Sequence, residues 1–146
     1  MALSKLDALY MAVVTDHSKH PHHRGSLEGV EVLEMHNPTC GDVIALSVRF
    51  EEGKIADVAF DGAGCTISTA SASMMTDAII GKRIEDAQKM AELFSQMVQG
   101  EKTEGQEILG DAALLAGVSK FPQRIKCATL SWNALKKVIE REAIKE

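Results

Sequence analysis

No stretch of eighteen apolar residues occurs anywhere in the chain, so the sequence offers no membrane-spanning helix. It has no excess of positive charge either. The formal net charge is −5, which argues against non-specific binding to nucleic acid or to an anionic membrane surface. Cysteine is scarce, and the three present are an odd number spread far apart, which excludes a disulfide framework. Repeats and low-complexity segments are absent. The first residues, Met1-Ala2-Leu3-Ser4-Lys5-Leu6-Asp7, place an acid where a signal peptide needs an apolar core. The resulting expectation is a cytoplasmic protein whose thiols stay reduced, suited to metal ligation or thiol chemistry rather than to cross-linking.

What remains is an ordinary globular composition. At 146 residues and 45% hydrophobic content, the chain is long enough to bury a sizeable core, and one domain spanning residues 1–146 is expected. Leu3, Leu6, Leu9, Tyr10, Val13 and Val14 recur at helical spacing and predict a first helix over 3–15. A segment with four of the five histidines follows, Asp16-His17-Ser18-Lys19-His20-Pro21-His22-His23-Arg24-Gly25. His17 with His20, or His20 with His23, has metal-compatible spacing. Pro21 and Gly25 interrupt any regular geometry, which favours a solvated loop whose histidines cap a helix end.

Residues 30–36 read as an imperfect strand, and two clearer strands follow. Ile44, Leu46, Val48 and Phe50 alternate with Ala45, Ser47 and Arg49, and Ala56, Val58 and Phe60 alternate with Ile55, Asp57, Ala59 and Asp61 on the outer face. Glu51-Glu52-Gly53 fits a three-residue hairpin loop with glycine in the left-handed position. That loop pairs Phe50 with Lys54, Leu46 with Val58 and Ile44 with Phe60. A two-residue loop would set Leu46 against Ala59 and Val48 against Asp57, which the pattern disfavours. Continued past the strand ends, the favoured register sets Asp42 opposite Gly62 and Cys40 opposite Gly64, within about one residue of Cys65 across the ladder.

Phe60 to Met75 is the stretch on which the chemistry turns. The second of the two clear strands tightens at Gly62 and Gly64, presents Cys65, and runs into a helix of small residues over 67–80 closed by Gly81. A helix N-terminus favours a thiolate, and the Ala/Ser content allows close packing. Met74 and Met75 read as core filler. Ile84, Ala87, Met90, Ala91, Phe94 and Val98 predict another helix ending at Gly100. Residues 101–111 read as a polar surface connection, and 112–116 as a short helical turn. Pro122 suits the start of a last helix, with an apolar stripe of Ile125, Ala128, Trp132, Leu135 and Ile139. Cys127 falls roughly 110° from the stripe centre, on its shoulder, and Arg124 and Lys126 would favour its thiolate.

Two thiolates, a carboxylate and a third thiolate suit tetrahedral zinc, or an iron–sulfur cluster with one non-cysteine ligand. Helix packing cannot be derived from the pattern, so the residues alone do not bring Cys127 to the other three.

Three motifs in order closely resemble the IscU/SufU family of iron–sulfur cluster assembly proteins. They are Asn37-Pro38-Thr39-Cys40-Gly41-Asp42, Gly62-Ala63-Gly64-Cys65-Thr66-Ile67-Ser68 with Ala70-Ser71-Ala72-Ser73-Met74-Met75, and Phe121-Pro122-Gln123-Arg124-Ile125-Lys126-Cys127-Ala128. The Tyr10 to His17 region is similar as well, so the resemblance spans nearly the whole chain. It implies an α+β fold, a small three-stranded antiparallel sheet with helices packed on one face, and a metal site of Cys40, Asp42, Cys65 and Cys127. Two departures point to the SufU-type branch. Lys126 stands where IscU-type scaffolds carry a His before the third Cys, and Phe121 to Lys126 replaces their Leu-Pro-Pro-Val-Lys chaperone-recognition motif.

For that branch the resemblance implies a zinc-bound acceptor of persulfide sulfur from a PLP-dependent cysteine desulfurase of the SufS type, with other Suf proteins as further partners. Cys40 is the expected acceptor, because its Pro/Gly-flanked loop can move while helices hold Cys65 and Cys127. Two other readings compete: a scaffold carrying a nascent iron–sulfur cluster, and a domain whose zinc is purely structural.

Overall fold

The computed structural model describes residues 5–38 and 41–145. Helix α1 (Lys5–Lys19) precedes strands β1 (Val32–Asn37), β2 (Asp42–Glu51) and β3 (Lys54–Ala63). Helices α2 (Thr66–Ile79) and α3 (Ile84–Val98), a 3₁₀ segment (Gln106–Lys120) and the long helix α4 (Pro122–Lys145) complete the chain. The strands form one antiparallel sheet in the order β1-β2-β3. The helices pack on its apolar face, where Leu33, Ile44, Leu46, Val48, Val58 and Phe60 are buried together with Met74, Met75, Phe94, Trp132 and Leu135. The expected α+β architecture is therefore present.

The hairpin register differs from the expectation in an instructive way. The turn has two residues, Glu52 and Gly53, both left-handed at φ 51° and 75°, as a two-residue hairpin turn requires. Glu51 pairs with Lys54 and Phe50 with Ile55, but Arg49 pairs with Asp57, so Ala56 is an extra residue in β3. This bulge restores the parity that a two-residue turn alone would lose. Leu46 then faces Phe60, and Val48 faces Val58. It also exchanges two side chains. Ile55, expected on the outer face, is fully buried, while Ala56 is exposed. Burying the larger residue is favoured by about 2 kcal/mol at ~0.8 kcal/mol per methylene. That term selects the bulge over the longer loop.

The outer edge of β3 is covered by two loops. His23 and Gly25 exchange backbone bonds with Phe60, and Gly81 and Lys82 do the same with Ile55. Capping by loops removes a free strand edge that would otherwise invite association.

Two further segments depart from expectation. Helix α1 runs to Lys19 rather than ending near residue 15, because His17 is an anchor, buried at 2% exposure, and not a solvated loop residue. The region from Gln106 to Lys120 is not a surface connection with one short turn. Leu109, Ala112, Leu115 and Val118 are all buried at three-residue spacing, which is the period of a 3₁₀ helix, where side chains at i and i+3 eclipse. Gly110 kinks the segment at φ 59°, ψ −135°. The surface connection itself ends at Gly105, and Phe94 stacks on Trp132 at 4.5 Å to join α3 to α4.

Gly62 sits at φ 134°, and a Cβ there would lie 2.0 Å from the Val43 carbonyl oxygen. Gly62→Ala is expected to cost at least about 2 kcal/mol, seen as a lower midpoint in urea unfolding with an unchanged slope.

Candidate metal centre

β3 ends at Ala63, and the chain turns through Gly64 into α2, with Cys65 as the N-cap. The Cys65 backbone is extended (φ −72°, ψ 171°), and its Sγ accepts from the Ser68 N–H at 3.4 Å. A sulfur in this position takes up one of the free N–H groups at the helix start and meets the positive end of the helix dipole. Cys65 therefore stands at the strand-to-helix corner where the pattern puts it.

Asp42 is the first residue of β2 and is 2% exposed. Val43 pairs with Ala63, so one further step along the ladder sets Asp42 against Gly64, not Gly62. Its Oδ1 accepts the Cys65 N–H at 2.9 Å. Gly64 makes that approach possible, since a Cβ there would lie 2.8 Å from Asp42 Oδ1 and 3.0 Å from Ser68 Oγ. Asn37, paired with Asp42 at the end of the β1–β2 ladder, is 4% exposed. Its side-chain amide donates toward Asp42 Oδ2 at 3.5 Å and lies 4.0 Å from Cys127 Sγ. Asn37 was not singled out from sequence. Its place at the head of the Asn-Pro-Thr-Cys-Gly-Asp motif was the available signal.

Cys127 arrives from the first turns of α4 and is fully buried, deeper than its position on the stripe's shoulder suggests. The small residues of α2 explain how it reaches the site. Ser71 Oγ donates to the carbonyl of Ala128 at 2.5 Å and accepts the Trp132 indole N–H at 3.2 Å. This pair of bonds pins α4 to α2 immediately beside Cys127 and about two turns from Cys65.

One donor atom from each of Asp42, Cys65 and Cys127 lies within 4.8 Å of the other two. Donors around a tetrahedral zinc stand about 3.3–3.8 Å apart, given bonds of 2.0–2.3 Å, so small side-chain movements would close this trio on a cation. The donor set, two sulfurs and one oxygen, suits zinc or iron. Ser68 Oγ is buried beside it with no hydrogen-bond partner among the described residues. The residues present fit a metal. Arg124 is exposed, and its guanidinium is held above its usual pKa by a hydrogen bond to Cys127 and by the charges of Cys65 and Cys127. It places a positive charge against both sulfurs. Lys126 instead lines a surface cleft with Met35, Asn37 and Pro38, so of the two expected cations Arg124 is the one that addresses the thiols. Cys40, the expected fourth ligand and sulfur acceptor, lies outside the described residues.

Fold and donors together define a small α+β protein with a mixed sulfur–oxygen donor cluster that could hold a cation. The NifU-like N terminal domain family matches residues 9–128, and the chain belongs to the IscU/SufU family of iron–sulfur cluster assembly proteins. It is 66% identical to the Streptococcus pyogenes serotype M1 iron–sulfur cluster assembly scaffold protein IscU, over 98% of this chain and 90% of that one. It is 51% identical to the zinc-dependent sulfurtransferase SufU of Bacillus subtilis (strain 168), over 95% of each. Among solved structures, a SUF-system iron–sulfur cluster assembly scaffold protein from Fervidobacterium islandicum AW-1 superposes with a TM-score of 0.82 at 34% identity, covering 87% of this chain and 93% of that one. No helix among the described residues is long and apolar enough to cross a membrane.

Asp42→Ala removes the acceptor of the Cys65 N–H. A bond to a charged acceptor is worth roughly 1.5–3 kcal/mol, so exchange of the Cys65 amide proton should accelerate about tenfold or more in the metal-free protein, measured by hydrogen exchange.

Proposed function

We propose that this protein is a zinc-bound sulfur acceptor in iron–sulfur cluster assembly, taking persulfide sulfur from a PLP-dependent cysteine desulfurase of the SufS type. The observation that carries the reading is the convergence of Asp42, Cys65 and Cys127 donors within 4.8 Å, with Cys40 two residues from Asp42 in the chain. Asp42, Cys65 and Cys127 would hold the zinc, with Cys40 supplying the fourth donor. When bound, zinc would keep its thiolates unprotonated and, being redox-inert, would not oxidise them.

The transfer is an exchange at sulfur. The Cys40 thiolate attacks the terminal sulfur of the desulfurase persulfide. A new Cys40–sulfur bond forms, the enzyme's sulfur–sulfur bond breaks, and the enzyme cysteine leaves as a thiolate. The terminal sulfur carries its proton across, and no net oxidation occurs. Arg124, against Cys65 and Cys127, offsets the negative charge that gathers at the site. Asn37 and the Cys65 N–H hold the Asp42 carboxylate in place.

The relative named a scaffold at 66% identity favours a second reading, in which the same residues carry a nascent cluster as cargo. Lys126, in place of a histidine, leaves that cluster one protein ligand fewer.

Incubation with desulfurase, PLP and cysteine, followed by mass spectrometry of the Cys40 peptide, separates the two. The expected outcome is one added sulfur on Cys40, faster desulfurase turnover, and loss of both in Cys40→Ala. Full acceptor activity in Cys40→Ala would assign the wrong thiol. An iron–sulfur chromophore that survives desalting would favour the scaffold. In a parallel metal assay, Cys127→Ser and Asp42→Ala should each weaken zinc retention by roughly tenfold or more.

A further inference from the structure

A second cluster of ligating side chains lies at the other end of α2. His17 comes from the last turns of α1, His22 from the loop that follows, and Asp77 from the last turn of α2. One donor atom from each lies within 4.8 Å of the other two. The two imidazole rings stand 4.6 Å apart between centroids. Asp111, carried by the 3₁₀ segment just past the Gly110 kink, places Oδ2 2.9 Å from His17 Nε2. That is close to the ~3.3 Å spacing of neighbouring nitrogen and oxygen donors on a tetrahedral ion.

The surroundings fit a cation in three respects. His17 is buried and its Nδ1 lies 2.7 Å from Ser73 Oγ, which also accepts the His22 backbone N–H at 2.8 Å. A ligating histidine characteristically has its second ring nitrogen held in this way, which fixes the ring and leaves the other nitrogen for the metal. The carboxylates have no lysine or arginine in an ion pair: among the described residues, Asp77 and Asp111 pair only with His17, His22 and His23. Third, Asp77 and Asp111 line a cleft of about 270 Å³ together with Glu107 and Lys82, three carboxylates against one ammonium.

We propose that His17, His22 and Asp77 bind a divalent transition metal of the zinc class, with Asp111 beside them against His17. The site is separate from the thiol centre. Cys65 and Asp77 stand at opposite ends of α2, about 18 Å apart at 1.5 Å per residue, and the donors here are nitrogen and oxygen with no sulfur. A metal at this point ties α1, the 20–25 loop and α2 together in place of the His22–Asp77 bond.

Cobalt(II) titration of the full chain tests the proposal, because thiolate-bound cobalt shows near-ultraviolet charge-transfer absorption and cobalt held only by nitrogen and oxygen does not. The expected result is two equivalents, one with that absorption and one without. His22→Ala combined with Asp77→Asn should remove only the second, lowering the stoichiometry from two to one. Cys65→Ser/Cys127→Ser should keep the second equivalent and lose the first. A single equivalent, thiolate-bound and unaffected by the His22 and Asp77 changes, would overturn the proposal and leave the cluster as a hydrogen-bonded clasp. So would a sulfur-free equivalent that persists in the His22→Ala/Asp77→Asn variant. The wild-type and His22/Asp77 spectra decide the matter even where the double cysteine variant fails to fold.

Discussion

The bond from the Cys65 N–H to Asp42 Oδ1 is the interaction on which the thiol centre depends. It joins the start of β2 to the start of α2, and it exists only because several local facts agree. The Ala56 bulge sets the register in which Asp42 stands level with Gly64. Gly64 has no side chain to keep the carboxylate away. Cys65 begins a helix, so its own N–H is free of any intrahelical partner. A carboxylate that fills this role is both buried and oriented before any cation arrives. The ordering cost of one ligand is met by folding rather than by metal binding.

Cys127 is held by a different device. α4 carries it from far along the sequence, and its position rests on how closely α4 approaches α2. Ala70, Ala72 and Ser71 are fully buried on α2, and the Ser71 hydroxyl serves as both donor and acceptor between the helices. A larger residue at Ser71 would push the helices apart, and a purely apolar one would strand the Trp132 indole N–H in the core. The low bulk of the stretch after Cys65 is thus a distance setting between two sulfurs.

How much of this was legible in advance follows from the range of the forces involved. Strand identity, the Cys65 helix start and the α4 stripe come from local periodicity and could be read directly. The register expected from the pattern puts the right residues of β2 on the buried face but against the wrong partners, Val58 for Leu46 where the structure has Phe60. Alternation demands that Leu46 and Val48 face apolar partners, but it cannot distinguish a three-residue loop from a two-residue turn plus a bulge, since both satisfy it. The difference in burial between Ile55 and Ala56 was the missing term. The 3₁₀ segment was overlooked because its apolar residues, Leu109, Ala112, Leu115 and Val118, repeat at three, which matches neither the helical nor the strand template. His17 was misread because its partners, Ser73 and Asp111, are remote in sequence. Resemblance to a family placed Cys127 beside Asp42 and Cys65; pattern alone had no means of doing so.

The donor set also bears on why one ligand is a carboxylate. Under the sulfur-acceptor reading, three thiolates and one carboxylate around a divalent zinc carry a formal charge of −2, and Arg124 reduces it to −1 at the rim of the site. A fourth thiolate would leave the same count but replace the hardest and least strongly held donor with a soft one, which zinc binds more tightly. Asp42 is better fixed by the protein than a free carboxylate would be, through the Cys65 N–H and the Asn37 amide. The protein therefore supplies through hydrogen bonds the positional order that a fourth sulfur would supply through the metal. Under that reading the site keeps its shape while Cys40 reacts, since Asp42, Cys65 and Cys127 are held by the fold and by the Asn37 and Cys65 N–H contacts rather than by Cys40.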